Sequence, residues 1–555
     1  MNTLFTGWRP YVWLTLLCAI LYIPGIFSLP PLDRDEARYM QASRQMVESG
    51  DYVHIRFQDK ARTKKPVGIY WLQAGAVNLL SPDRPDRVWP YRVPSVIALW
   101  AAALMAFAWG KHLFGRPAAF AAAGLLAASV VPILEAHQAK TDAVLLATTV
   151  AAMGALARSH LASHGVGPPL TGRNAAEAGL VFWIAVGVGI LVKGPLIVMV
   201  AGLAVLALAV GERRLDWFKA LRPGMGVIVV LAIVAPWFLA IQGGGEGPGF
   251  VTRAIENDLL PKLLKGHESH GAPPGYHVLL MILFLWPASL LVWPALRHAW
   301  RERARVPVRF CLAWLVPSWI VLELVPTKLP HYPLPLYPAL TLLAGAALVA
   351  FVDGRDVGLH GRGIRWYYAG WGLLGLALAA AVVVAPRAYG LDAGGWTALP
   401  AVLFAVAGLV PGFLAWRGSL VRAAVTASVA GGLAVTSTLA VAMPSMDGLW
   451  LSRQARAMVA EHSPVPGPTV AATGYHEPSL VFLLGRRTNL TGPQGAATAL
   501  DTGHADLALV THKDLAAFRA AAAKRGLDAK RLDTAHGLNY AEGEVLDLVL
   551  FGRSS

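Results

Sequence analysis

About thirteen apolar stretches, most near the ~20 residues that carry a helix across bilayer hydrocarbon, run through this chain and restrict it to a helical membrane architecture. They fall at 10–28, 91–110, 118–134, 141–159, 178–192, 195–210, 225–242, 276–296, 310–325, 333–352, 367–385, 397–415 and 423–442. Only 15% of residues are charged, against about 25% in a soluble protein, and the deficit lies in these stretches. Buried core helices of a soluble protein would be neither so many nor so long. Segments 178–192 and 195–210 meet at Lys193-Gly194-Pro195, which reads either as a tight hairpin or as one broken helix. Stretch 10–28 is kept as a span, because Pro24 and Pro30-Pro31 follow it where a signal peptide would carry a small-residue cleavage site.

The formal net charge of +15 could indicate nucleic acid, but its distribution excludes that class. Arginines and lysines recur in alternate short loops: at Lys111 and Arg116, at Arg158 and Arg173, at Arg213 to Arg222, at Arg297 to Arg309, at Arg355 to Arg365, and at Arg417 and Arg422. The positive-inside rule makes those loops cytoplasmic, beside anionic lipid headgroups. The other face then carries three larger pieces, 29–90, 243–275 and 443–555, which in a bacterium are periplasmic. An odd span count puts the N-terminus inside and the C-terminal unit outside. Both cysteines, Cys18 and Cys311, lie in apolar stretches, which argues against a disulfide or a cysteine metal site.

The expected division is a transmembrane domain over 1–442 and a small α/β domain over 443–555. Strands are expected at 467–473, 505–510 and 543–551, with helices at 477–484 and 513–525.

The loop 29–90 carries the most chemistry. Asp33-Arg34-Asp35-Glu36-Ala37-Arg38-Tyr39-Met40 opens an amphipathic segment, and 35–48 is expected to be a helix lying on the membrane surface. Acidic residues in a first helical turn are also ordinary capping, so Asp35 and Glu36 need context to mean more. Context comes from Arg56, Lys60, Arg62, Lys64 and Lys65, followed by Pro66 and by Gly68-Ile69-Tyr70-Trp71-Leu72. Cations beside an interfacial aromatic segment suit a phosphate headgroup on a long hydrocarbon tail. Their place on the outer face, where basic residues are disfavoured, strengthens the case for a specific anionic partner. Asp142, in Gln138-Ala139-Lys140-Thr141-Asp142 at the head of a span, is a further functional candidate, with helix capping as its bland alternative.

Taken in order, Asp35-Glu36-Ala37-Arg38-Tyr39, Lys65-Pro66 with Tyr70-Trp71-Leu72, Lys193-Gly194-Pro195, and Lys328-Leu329-Pro330-His331-Tyr332 with Leu334-Pro335-Leu336-Tyr337-Pro338 resemble motifs of the aminoarabinose transferase and protein O-mannosyltransferase superfamily of GT-C membrane enzymes. Gly474-Tyr475-His476-Glu477-Pro478-Ser479-Leu480 is similar to the start of the periplasmic domain of the aminoarabinose branch.

The resemblance implies a polytopic α-helical membrane protein that moves a sugar from a polyprenyl-phosphate carrier at the periplasmic face. In the aminoarabinose branch the sugar is 4-amino-4-deoxy-L-arabinose and the acceptor is lipid A; another envelope acceptor stays open. Membrane lipids are the other expected partners, nucleic acid is not one, and the expected location is the bacterial inner membrane. The resemblance makes Asp35 and Asp142 the catalytic acids and assigns lipid phosphate to Arg38 and Lys65, with Lys193 and Lys328 added as cations at the outer ends of spans. Glu36, Tyr39, Tyr70, Trp71, His331 and Tyr332 are expected to line the substrate cavity.

One departure concerns metal. The family's usual Glu-Lys-Pro is Lys64-Lys65-Pro66 here, and a lysine cannot help hold the zinc ion associated with that glutamate. His267 and His270 of the later outer loop remain as a weak zinc pair. The competing classes are a protein O-mannosyltransferase-like enzyme and, outside enzymes, a flippase or transporter of lipid-linked sugars. Transporters show repeated halves and mid-membrane charges, and neither is present in this sequence.

Overall fold

A computed structural model describes residues 5–242, 249–254, 256, 271–355, 361–463 and 465–554. Nine helices among the described residues are long and apolar enough to cross a membrane. Two bent pairs, Arg116–Ala127 with Val130–Ala136 and Tyr276–Phe284 with Ala288–Arg301, raise the number to eleven. The two remaining apolar helices, Arg9–Tyr22 and Leu196–Glu212, are shorter. Every one of the thirteen expected stretches is therefore helical, but four of them are broken or short. The bends of 59° and 115° are invisible to a window that counts apolar residues. Segments 178–192 and 195–210 form two helices, Gly172–Lys193 and Leu196–Glu212, joined at Gly194, whose φ of +70° a glycine adopts at little cost.

Small residues let the helices approach closely. A Cβ added to Gly375 would meet the backbone of Gly408, so the helices Arg362–Ala388 and Ala398–Trp416 touch main chain to main chain.

The C-terminal unit is a five-stranded sheet with helices. Its strands are β3 (Val470–Thr473), β4 (Asn489–Leu490), β5 (Leu507–Thr511), β6 (Ala529–Asn539) and β7 (Glu544–Arg553), in the order β4-β3-β5-β7-β6. The first three are parallel, and β7 is antiparallel to both neighbours. The three expected strands appear as β3, β5 and β7, and the two expected helices as Pro478–Leu484 and Leu515–Lys524. Strand β6 was not expected. Its sequence Ala-Lys-Arg-Leu-Asp-Thr-Ala-His-Gly-Leu-Asn is poor in β-branched residues, and it pairs with β7 as one arm of a hairpin.

In the first outer loop, the strands β1 (Arg56–Phe57) and β2 (Lys60–Ala61) make a short hairpin, and helices cover Asp35–Ser49 and Gly68–Leu80. The helix Asp35–Ser49 ends at Gly50 in the left-handed conformation. Its apolar face does not lie on the membrane as expected. Met40 packs with Val77, Tyr91, Ala139 and Phe482, so the face is buried between the outer ends of spans and the C-terminal unit. Apolar burial against protein and against lipid leave the same periodic pattern, and the C-terminal helix Pro478–Leu484 supplies the cover here.

Candidate active site

The chain brings Asp35 and Asp142 to one charged cluster, although two spans and most of the loop 29–90 separate them in sequence. Asp142 is 5% exposed at the first turn of its helix. The Lys193 ammonium donates to its Oδ1 at 2.5 Å, and His331 Nε2 lies 3.6 Å from the same oxygen. Lys193 also stands 5.8 Å from the centre of the Tyr332 ring. Lys140, 9% exposed, pairs with Glu135 at 3.0 Å and shares the field of Asp142 and Asp35.

Asp35 itself is reached by solvent but ringed by protein. Desolvation would raise its pKa; the charges of Lys140, Arg62 and Arg38 outweigh that and hold the carboxylate below its usual range. Arg62 is returned to the site by the β1–β2 hairpin, its backbone N–H bonding Ile55 at 2.8 Å. Its guanidinium donates to the Tyr70 hydroxyl at 3.0 Å and lies 5.1 Å from the centre of the Tyr39 ring. His331 is pushed down to about 3, first by burial and then by Lys140 and Lys193, so it is a neutral imidazole at physiological pH. The ensemble is a pair of carboxylates among cations, where the loop 29–90 meets the ends of the spans. Such a site can bind a phosphate and stabilise charge that develops during group transfer.

Several expected site residues stand elsewhere. Glu36 does not line a cavity. It is 1% exposed and pairs with the fully buried Arg92. Lys328 is 3% exposed and spends its ammonium on the carbonyls of Ala272 at 2.9 Å and Val325 at 2.7 Å, so its role is to tie the two connections together. A Lys328→Met variant should therefore bind a polyprenyl phosphate as wild type does while losing about 2 kcal/mol of stability, measured by carrier titration and thermal unfolding. Weakened carrier binding at unchanged stability would return Lys328 to the phosphate site. Trp71 is 39% exposed and its indole N–H donates to the Tyr52 carbonyl. Lys65 is half-buried, directly before the helix Gly68–Leu80. His267 and His270 lie outside the described residues.

Arg62, Lys140 and Glu135 are members of the cluster that were not singled out. Lys140 and Glu135 are ionisable residues beside apolar stretches, which is itself a functional signal. Arg62 stood among five similar cations in the sequence, and only the hairpin distinguishes it.

Metal-type groupings among the described residues are His160, His164 and Glu212, and the more exposed Glu461, His462 and Asp533. In the first, Arg309 lies 2.9 Å from the Glu212 carboxylate and 3.4 Å from His164. A guanidinium already takes the place of the cation, and the group pins three helix ends together.

The C-terminal unit touches the opening of the first loop. Asp33 Oδ1 accepts from the Ser479 backbone N–H at 3.2 Å, and the Asp33 N–H donates to the Tyr540 hydroxyl at 2.6 Å. Burial, joined by the Glu477 carboxylate, raises the Asp33 pKa to about 6. A raised carboxyl pKa means that the folded contact favours the protonated form. Stability from this contact is therefore present at low pH and lost as pH rises from the ordinary aspartate value of 3.8 through about 6. Asp33→Asn should abolish that pH dependence and resist limited proteolysis of the C-terminal unit at neutral pH at least as well as wild type. Parallel pH profiles for the two proteins would contradict the assignment.

Residues 64–239 match the family model described as dolichyl-phosphate-mannose-protein mannosyltransferase. A protein of Pseudomonas aeruginosa (strain UCBPP-PA14) named undecaprenyl phosphate-alpha-4-amino-4-deoxy-L-arabinose arabinosyl transferase is 29% identical over 385 residues, covering 67% of this chain and 65% of the relative. A protein of the same name from Edwardsiella ictaluri is 27% identical over 362 residues, covering 65% of this chain and 61% of the relative. The match thus spans just under two thirds of the relatives' own length. Among solved structures, ArnT from Cupriavidus metallidurans bound to undecaprenyl phosphate superposes with a TM-score of 0.76 at 19% identity, over 98% of this chain and 97% of that one. The Archaeoglobus fulgidus oligosaccharyltransferase tethered with an acceptor peptide gives 0.56 at 11% identity, over 100% of this chain and 75% of that one. The chain thus shares the fold of the Cupriavidus metallidurans protein, and its sequence is similar to proteins named as aminoarabinosyl transferases and, over residues 64–239, to the mannosyltransferase family model.

Proposed function

We propose that this protein transfers a sugar from a polyprenyl-phosphate carrier to an anionic envelope acceptor, lipid A first among them, at the periplasmic face of the inner membrane. The observation that carries the reading is the convergence of Asp35 and Asp142 on Lys140, with Arg62 and Lys193 flanking. The relatives named for aminoarabinosyl transfer from undecaprenyl phosphate support the same donor class.

Chemically, the bond between the sugar's anomeric carbon and the carrier phosphate breaks, and the acceptor oxygen bonds to that carbon. The carrier leaves as a phosphate, whose charge Lys140, Arg62 and Arg38 are placed to offset. Positive charge develops at the anomeric carbon in such transfers, and the ionised Asp35 stabilises it. The low pKa of Asp35 makes it a weak base for a hydroxyl. A phosphate acceptor is already ionised and needs no base, which favours lipid A over the hydroxyl of a protein side chain. This chemistry argues against an O-mannosyltransferase-like role.

Lys64 stands where the family's glutamate would help hold a metal, and a lysine ammonium cannot ligate one. The orientation rests on the arginine distribution: reporter fusions after 222 and 305 should read as cytoplasmic, and one within 480–550 as periplasmic. Mass spectrometry of lipid A and envelope glycans with and without the protein tests the function. Loss of a glycosyl increment on lipid A supports it; a changed protein glycan with unchanged lipid A would favour the O-mannosyltransferase reading, and no change in either would sink both.

A further inference from the structure

We propose that Glu36 and Arg92 are positioning residues that set the spacing between the two acidic segments of the site. The inference rests on the transferase reading of that cluster. Both side chains are buried, and their hydrogen-bonding capacity is filled. Glu36 Oε1 accepts from Arg92 Nε at 2.8 Å and from the Ala139 backbone N–H at 2.9 Å. Its Oε2 accepts from Arg92 Nη2 at 3.0 Å and from the Leu32 N–H at 2.8 Å. Arg92 donates its other hydrogens to the carbonyls of Ile26, Leu29 and Pro30, at 3.2, 2.7 and 2.9 Å.

Neither residue needs a ligand, so neither is a catalytic residue. What they join is informative. Glu36 follows Asp35 in the chain, and Ala139 precedes Lys140 and stands three residues before Asp142. One carboxylate therefore holds the Asp35 turn against the Lys140–Asp142 segment, and one guanidinium holds the chain leading into that turn. Arg34, just before Asp35, adopts a φ of +64°, an uncommon conformation for a non-glycine residue, in the turn these bonds hold. A buried ion pair is not an economical source of stability, since apolar side chains of similar volume often do as well. Its use here is to place Lys140 against Asp35.

The test compares wild type, Glu36→Gln and the double variant Glu36→Met/Arg92→Met. The double variant removes both charges together and leaves no unpaired buried charge should Glu36→Gln fail to fold. Two readouts are taken on the full-length protein. Hydrogen exchange at 137–142 should speed up in the variants while the β3–β5–β7 sheet is unchanged. Transfer from a polyprenyl-phosphate-linked sugar should lose roughly 100-fold in kcat with little change in donor KM. The acid limb of its pH profile should move upward as Lys140 withdraws from Asp35. Unchanged exchange at 137–142 overturns the proposal whatever the activity. An unshifted acid limb in a folded, slower variant reduces the pair to a structural role and overturns it too. If wild type shows no transfer, the transferase reading falls, and the exchange result still decides whether the pair holds the two segments.

Discussion

Asp35→Asn should leave a folded protein that still binds carrier lipid but transfers sugar roughly 100- to 1,000-fold more slowly, the scale of losing one preorganised electrostatic group. The amide keeps the size of the carboxylate at the start of the helix Asp35–Ser49, where no side-chain cap bond is lost. It loses the negative charge that Lys140, Arg62 and Arg38 surround. Because those cations hold Asp35 ionised, wild-type activity should not fall as pH drops from 7 toward the usual carboxylate range; its Asp35-dependent acid limb lies below that range. Single-turnover transfer with purified protein distinguishes a chemical defect from a binding defect. Wild-type turnover in Asp35→Asn would remove Asp35 from the reaction.

Lys140→Met should be the other severe variant. The lysine serves Glu135 directly and both aspartates through its field, so its loss leaves three carboxylates facing one fewer cation. Breaking a buried pair by removing one partner costs about 3–5 kcal/mol. Thermal unfolding should register a large part of that. The folded fraction should transfer roughly 100-fold more slowly, because the departing phosphate has lost a charge partner. The acid limb should also move up in pH, since Asp35 loses a cation that lowers its pKa. A stable Lys140→Met protein with the wild-type pH profile would show that Lys140 balances Glu135 alone.

Much of the membrane fold was legible because apolar length is a strong signal, and every expected stretch proved helical. The bends near Ser129 and Pro287 were not, since composition runs through them unchanged. The two acids of the site were visible as charges at the heads of segments. Their partners were harder to find. Lys140 stands two residues from Asp142, and an ionisable residue beside a span is informative in itself. Arg92 lies inside an expected span, where a fully buried arginine implies a carboxylate partner. Glu36 is the clearest misplacement. Its position beside Asp35 suggested a shared role, but successive helical residues point in different directions, and Glu36 turns inward to Arg92. Lys328 looked like a phosphate ligand because its terminal amine lies near the outer ends of spans. The sequence carries no sign that two carbonyls claim that amine.

The most direct test is reconstituted transfer. Purified protein in liposomes is given a polyprenyl-phosphate-linked aminosugar and lipid A, and the lipid A is weighed by mass spectrometry. The account predicts one aminosugar increment on a lipid A phosphate with wild type and none above background with Asp35→Asn. An increment of equal size with Asp35→Asn, or unmodified lipid A with a wild-type protein that demonstrably binds the carrier, would contradict it.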